Sequence, residues 1–288
     1  MTTAAERLPA RRKSGVLMRA LRFARHHLLT AYAMLAFAYL LLPIAVVIVF
    51  SFNNPAGKFN IVWQGFTFDN WLHPFNSPDV QQAVTVSLQI AALSSVIATA
   101  LGTFIALALV RYRFRGNGAT NLLIFLPMAT PEIVLGASLL TLFLNNPLGV
   151  LPPLGFGTIL IAHIMFCISY VVVTVKARLV GFDRHLEEAA MDLGANEVVT
   201  FLRVTLPLIA PAILAGALLS FALSVDDFVI TYLNSGSVVT FPLYVWGAAR
   251  TEISPAINVI GSAIFFIAVA VMLANVLWQW RRQPKGAV

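Results

Sequence analysis

The chain has 288 residues, 59% of them hydrophobic and only 11% charged, where a soluble domain carries about 25% charged residues. That balance excludes a water-soluble globular domain, and the single cysteine, Cys167, excludes an intrachain disulfide framework or a multi-Cys metal site. The net charge of +7 implies no nucleic-acid partner, because its placement along the chain fits a membrane protein facing anionic lipid.

The first 28 residues form a basic tail with Arg7, Arg11, Arg12, Lys13, Arg19, Arg22 and Arg25. An apolar run follows, predicting a first membrane span over 29–51. It is too long for a signal-peptide core and no small-residue cleavage site follows it, so it is expected to remain in the protein. Residues 52–83 are expected to form an extracytoplasmic loop carrying Trp63 and Trp71. The region 84–280 is expected to form a membrane-embedded core with spans near 84–110, 119–144, 157–176, 204–227 and 257–280. Within the second span, Ser94, Ser95, Ala98, Ala100 and Gly102 offer small surfaces for helix packing. Phe228–Ala249 is uncharged but broken by Asn234-Ser235-Gly236-Ser237 and Pro242, which predicts an outer loop with a short interfacial segment. Trp246 there, and Trp278 and Trp280 near the C-terminus, suit interfacial belts.

Arg111, Arg113 and Arg115 follow the second span, Lys176, Arg178, Arg184 and Arg203 lie between the fourth and fifth, and Arg281, Arg282 and Lys285 form the tail over 281–288. With the N-terminal seven they put seventeen Lys and Arg on one side, leaving only Lys58 and Arg250 opposite. The positive-inside bias predicts six spans with both termini cytoplasmic.

The sequence contains no Walker A, HExxH, GxSxG or GxGxxG pattern. No catalytic residue and no metal site is expected. His163, inside the fourth span, reads as a packing or hydrogen-bonding residue. Energy for uphill movement must come from another subunit or an ion gradient.

The loop over 177–206 holds the most specific motif. Glu188-Ala189-Ala190, three residues, Gly194, nine residues, Val204, one residue and Leu206-Pro207 resembles the EAA signature of ABC importer permeases, which usually has Ile at the position of Val204. Helical spacing over His185 to Leu193 puts Leu186, Ala189, Ala190 and Leu193 on one stripe of a short amphipathic helix. Gly194 suits the positive φ that ends a helix. An ordinary interfacial helix would share the amphipathicity but not the full motif.

The resemblance extends from about Ser51 to the end of the last span. Ser51-Phe52-Asn53, Trp63-Gln64-Gly65-Phe66-Thr67, Pro131-Glu132-Ile133-Val134 and Leu223-Ser-Val-Asp226-Asp227 look like the spermidine/putrescine-type permeases, in particular their C-type subunit. The resemblance implies an all-α membrane protein with about six transmembrane helices and the type I importer permease (MetI-like) fold, in a bacterial plasma (inner) membrane. It implies a second permease subunit, two cytoplasmic ATPase subunits that bind ATP and magnesium, and an extracytoplasmic substrate-binding protein, with Glu188, Ala189, Ala190, Gly194, Leu206 and Pro207 coupling to the ATPases. No cofactor is expected in this chain.

Three acids lie in or beside apolar spans. A charge at the centre of a membrane helix costs about 2.5–3.5 kcal/mol even on lenient scales. Glu132 would lie about 20 Å into a helix beginning near Thr120, and Asp226 and Asp227 about 28 Å beyond Pro207. A cationic substrate would use such carboxylates; hydration at a helix end is the competing reading for the Asp pair. The alternatives are an importer of the same class for iron, thiosulfate or an amino-acid-like solute, and an ion-coupled secondary transporter, which predicts internal repeats and broken ion-binding helices. A membrane enzyme would need a nucleophile–base or metal constellation, and none is visible.

Overall fold

The computed structural model describes residues 13–112, 114–146 and 149–282. Residues 1–12, 113, 147–148 and 283–288 lie outside it, as do the side chains of 13–26, 275–276 and 278–282, so the expectations for the basic tails and for Trp278 and Trp280 fall outside the described residues. Among the described residues the chain is helical, with two isolated bridges and no strand. Five helices are long and apolar enough to cross a membrane, or six if one sharply bent pair is counted as a single span.

The chain divides into two compact units. The first comprises α1 (Lys13–Phe50), the loop containing α2 (Asp69–Leu72), and α12 (Pro255–Arg282). Its loop is built on side-chain amides. Asn53 donates to Asn60 Oδ1 (2.7 Å) and Val62 O (2.8 Å), and accepts from the Gln64 amide at 2.8 Å. The Asn54 amide donates to Gly65 O at 2.9 Å and the Thr67 amide to Phe52 O at 2.8 Å. The segments Ser51–Asn53 and Trp63–Thr67, separate in the sequence, thus form one hydrogen-bonded loop core. Trp63 is exposed, as a belt residue would be, whereas Trp71 is half-buried and donates to Ser51 Oγ at 3.0 Å.

The second unit runs from Phe75 to Glu252. It holds α3 (Pro78–Arg111), α4 (Asn117–Ala129), α5 (Glu132–Asn145), α6 (Phe156–Val180), α7 (His185–Asp192), α8 (Glu197–Thr200), α9 (Leu206–Asp226), α10 (Val229–Asn234) and α11 (Phe241–Thr251). Helices α3, α6 and α9 form its centre. Lipid tails are as apolar as leucine, so close packing by small residues, not hydrophobic transfer, holds such helices together. Ser94, Ser95, Ala98 and Gly102 are buried as expected, but Ala100 is exposed. A Cβ on Gly102 would lie 2.7 Å from Val171 Cβ, so α3 and α6 meet there at glycine distance.

The span expected over 119–144 is two helices, α4 and α5, bent by 108°. Pro131 has no amide hydrogen and drives the preceding residue out of helical geometry; Thr130 has φ −81°, ψ 133° and Pro131 φ −55°, ψ 133°. The span expected to start at 204 is already helical from Glu197. Asn196 caps α8 by accepting from the Val199 amide at 2.9 Å. Residues Phe201–Thr205 then form a π-turn leading into α9, immediately before Pro207, where the missing donor disturbs the i−4 ladder.

The segment expected as an outer loop over 228–249 is two helices, and α10 is interior: Ile230, Thr231 and Asn234 are buried. Thr158 Oγ1 donates to Asn234 O at 2.7 Å, and Asn234 Nδ2 to Gly136 O at 3.2 Å. The turn residues after Asn234 stop one short helix without exposing it. Gly236 makes the turn at φ +55°, where a Cβ would meet Leu154 O at 2.7 Å.

Candidate functional site

Two features gather the residues singled out in the sequence: the α7 loop and a cavity at the α4–α5 break.

Helix α7 spans His185–Asp192, one residue short of the expected Leu193. Its end is closed by the Gly194 amide donating to Met191 O (2.9 Å) and the Ala195 amide to Ala190 O (3.1 Å). Gly194 has φ +89°, the left-handed conformation that only glycine adopts freely. Leu206 opens α9 and Pro207 follows it in the first turn. The apolar stripe turns outward: Leu186, Ala189 and Leu193 are exposed, Leu193 by 90%, and only Ala190 is half-buried. Such a patch outside the apolar spans marks a surface awaiting a partner.

Glu188 is exposed, and its carboxylate makes no hydrogen bond among the described residues. Its neighbour Glu187, which the sequence reading passed over, faces inward at 15% side-chain exposure. Its Oε1 accepts from Arg111 Nη2 at the end of α3 and from Thr205 Oγ1 in the π-turn. Arg184 adds a second tie, donating to Val110 O at 3.1 Å. The outward face of α7 is thus free while its inward face is clasped by α3 and the start of the α9 span. The helical offset of Glu187 from the apolar stripe is the one sequence feature that could have separated it from Glu188. In front of α7, His185 Nδ1 lies 2.7 Å from Asp183 Oδ1. This hydrogen bond lowers the Asp183 carboxyl below its usual range and raises the His185 imidazole above its own.

The cavity encloses about 360 Å³, and Glu132, Asp226 and Asp227 all line it. Glu132 is not midway along a helix as its spacing from Thr120 suggested. It is the first residue of α5, exposed beside the break after Pro131. Asp226 is the exposed last residue of α9, and Asp227 is its C-cap with only 4% of its side chain exposed. Exposure at a helix end, which the competing reading of the Asp pair requires, is found for Asp226 and not for Asp227. Phe166, Tyr170 and Phe228 supply aromatic wall, and Leu135, Leu223 and Ile230 aliphatic wall. Carboxylates in a concave, partly enclosed site attract and concentrate cations, and aromatic faces add to that attraction. No nucleophile–base pair is assembled there, and among the described residues no group of three His, Cys, Asp or Glu side chains could hold a metal ion.

Residues 98–281 match the family described as "Binding-protein-dependent transport system inner membrane component". The chain is 37% identical to the spermidine/putrescine transport system permease protein PotC of Haemophilus influenzae, over 88% of this chain and 97% of that protein. It is 39% identical to the putrescine transport system permease protein PotI of Escherichia coli (strain K12), over 80% of this chain and 83% of that protein. Among solved structures, a chain of a bacterial ABC transporter involved in alginate import shares its fold, with a TM-score of 0.67 at 16% identity, over 93% of this chain and 100% of that one. The chain therefore belongs to the inner membrane components of binding-protein-dependent transport systems, and is an all-helical, multi-pass permease subunit of the ABC importer class.

Proposed function

We propose that this permease imports polyamines, of the spermidine and putrescine type. The observation that carries the reading is the convergence of three carboxylates and three aromatic rings on one cavity. Polyamines are flexible chains of methylenes bearing two or more ammonium groups. Spaced anions would hold the ammoniums while aromatic and aliphatic walls cover the methylenes. Relatives named for spermidine and putrescine transport support the same substrate class. An oxyanion or neutral sugar would gain nothing from Glu132, Asp226 and Asp227.

In this reading the chain forms the path with a second permease subunit, receives substrate from an extracytoplasmic binding protein, and has both termini in the cytoplasm. Two partner ATPases bind ATP and magnesium and push on the outward face of α7. Leu186, Ala189 and the exposed Glu188 meet the ATPase, Gly194 ends the helix, and Leu206 and Pro207 carry the motion into α9.

The test is ATP-dependent uptake of radiolabelled spermidine and putrescine by the complex reconstituted with its neighbouring subunits. Gly194→Asp should abolish uptake. Glu132→Gln should raise the KM for polyamine while ATP hydrolysis stays coupled. A complex that hydrolyses ATP in response to its binding protein but moves neither polyamine would refute the substrate, and ATP-independent uptake would refute the coupling.

A further inference from the structure

His163 has no part in the reading so far, yet it is the most completely buried ionisable side chain beside the cavity. It lies within α6 at 1% exposure, with Nδ1 2.7 Å from Ser224 Oγ and Nε2 2.9 Å from Thr231 Oγ1 and 3.2 Å from Asp227 Oδ2. The Thr231 hydroxyl donates to Asp227 Oδ2 at 2.7 Å, so toward His163 it accepts. That places the imidazole hydrogen on Nε2, directed at Thr231 Oγ1, with Asp227 Oδ2 3.2 Å from the same nitrogen. Nδ1 is then free to accept from the Ser224 hydroxyl, whose oxygen accepts from Ser94 Oγ at 3.0 Å. The hydrogen bonds run in one direction, from α3 through α9 and α6 to the carboxylate at the end of α9.

Among the described residues the polar partners of the Asp227 carboxylate all fall on Oδ2: the Thr231 hydroxyl, the Thr231 amide at 2.8 Å, and His163 Nε2 at 3.2 Å. Oδ1 has no partner among the described residues, although Asp227 lines the cavity. At the C-terminus of α9 a carboxylate meets partial negative charge, which the first turn of α10 offsets through the Thr231 amide, and a buried carboxylate needs such donors. A carboxylate held there by the Thr231 hydroxyl and amide on one oxygen, with His163 Nε2 3.2 Å from that same oxygen, is oriented, with the other oxygen left to the cavity.

We propose that His163 is a positioning residue for cation passage, aiming Asp227 so that Oδ1 stands as a fixed negative charge in the cavity. This rests on the cavity being the cation path. A preoriented anion does not have to be ordered when the ammonium arrives, so its effect falls on substrate affinity. His163 touches no substrate.

The experiment measures KM and maximal rate for ATP-dependent putrescine uptake by the complete reconstituted importer. His163→Gln places an amide N–H near the Nε2 position and should keep KM within about threefold, the scale of a neutral-for-neutral exchange in one hydrogen bond. His163→Asn keeps an amide beside Ser224 but falls short of Asp227. It should raise KM about 10- to 100-fold, the range for losing a hydrogen bond to a charged group, with a much smaller change in maximal rate. Asp227→Glu keeps the charge but moves its oxygens off these partners, and should raise KM by a similar factor. It also decides the matter if the Asn variant does not assemble. The double variant His163→Asn with Asp227→Asn should be no worse than Asp227→Asn alone, because both act through one carboxylate. Equal damage from Gln and Asn, an unchanged KM in Asp227→Glu, or multiplying penalties in the double variant would overturn the proposal. If Asp227→Asn itself leaves KM unchanged, the cavity reading fails; if Asp227→Asn raises KM and His163→Asn does not, that reading stands and the role of His163 falls.

Discussion

Glu187 and Glu188 are chemically identical neighbours, and the structure expects opposite consequences from removing each charge. Glu187 accepts from Arg111 and Thr205, with 15% of its own side chain and 33% of that of Arg111 exposed. A hydrogen bond to a charged group contributes about 1.5–3 kcal/mol. The partial exposure of Arg111 screens it, which brings the loss in Glu187→Gln to about 1–2 kcal/mol. A loss of that size shifts the balance between docked and undocked α7 by roughly 5- to 30-fold. Hydrogen exchange of the amides in 185–195 in the purified permease pair, without ATPase, reads this directly as a matching fall in protection. Glu188→Gln should leave protection unchanged, since the exposed Glu188 carboxylate makes no hydrogen bond among the described residues, and should instead weaken association with the ATPase. Arg111→Met should reproduce Glu187→Gln, and the double variant should add little to either. Equal protection in Glu187→Gln and wild type, or a loss as large in Glu188→Gln, would refute the assignment of the two faces of α7.

Three further outcomes follow from local geometry. Gly194→Ala meets no steric neighbour but must hold φ +89°, so it should cost about 1–2 kcal/mol from backbone conformation alone, measured as weaker ATPase association; Gly194→Asn should cost less, because asparagine tolerates that region. Gly102→Val places a branched side chain where even a Cβ lies 2.7 Å from Val171 Cβ; the overpacking should cost about 1–3 kcal/mol, or more if α3 and α6 must separate, visible as a lower melting temperature of the solubilised complex. His185 should titrate above the ordinary imidazole value because Asp183 holds its charged form. The stabilising contact is thus fully present below the unfolded imidazole pKa and is lost as pH rises through the higher folded one. Asp183→Asn should lower the NMR titration midpoint toward the ordinary value, with the remaining Glu188 charge still favouring the imidazolium.

Much of the architecture was legible in composition and spacing. Lipid as solvent demands long apolar helices with backbone bonds satisfied internally, so runs such as Leu29–Phe50 announce themselves residue by residue. Gly194 was legible for a similar reason, because its role is set by its own φ. The break at Thr130–Pro131 was present in the sequence as a proline, but a proline can kink a membrane helix or end it, and packing selects between these outcomes. The burial of α10 was hidden because an uncharged segment with turn residues reads the same in an outer loop and in a core.

The side-chain partnerships belong to the tertiary structure alone. Arg111 and Glu187 are 76 residues apart and His163 and Ser224 are 61 apart, separations across which no helical or strand periodicity operates. The sequence by itself determined that this chain lives in a membrane, where most of its apolar spans and the short helix near 185–193 lie, and which acids stand out against an apolar background, because each depends on a residue and its near neighbours. The fold decided that those three acids meet in one cavity, that Glu187 and not Glu188 holds α7, and that His163 stands behind Asp227. Those facts depend on which helices pack together, and helix packing is a property of the whole chain.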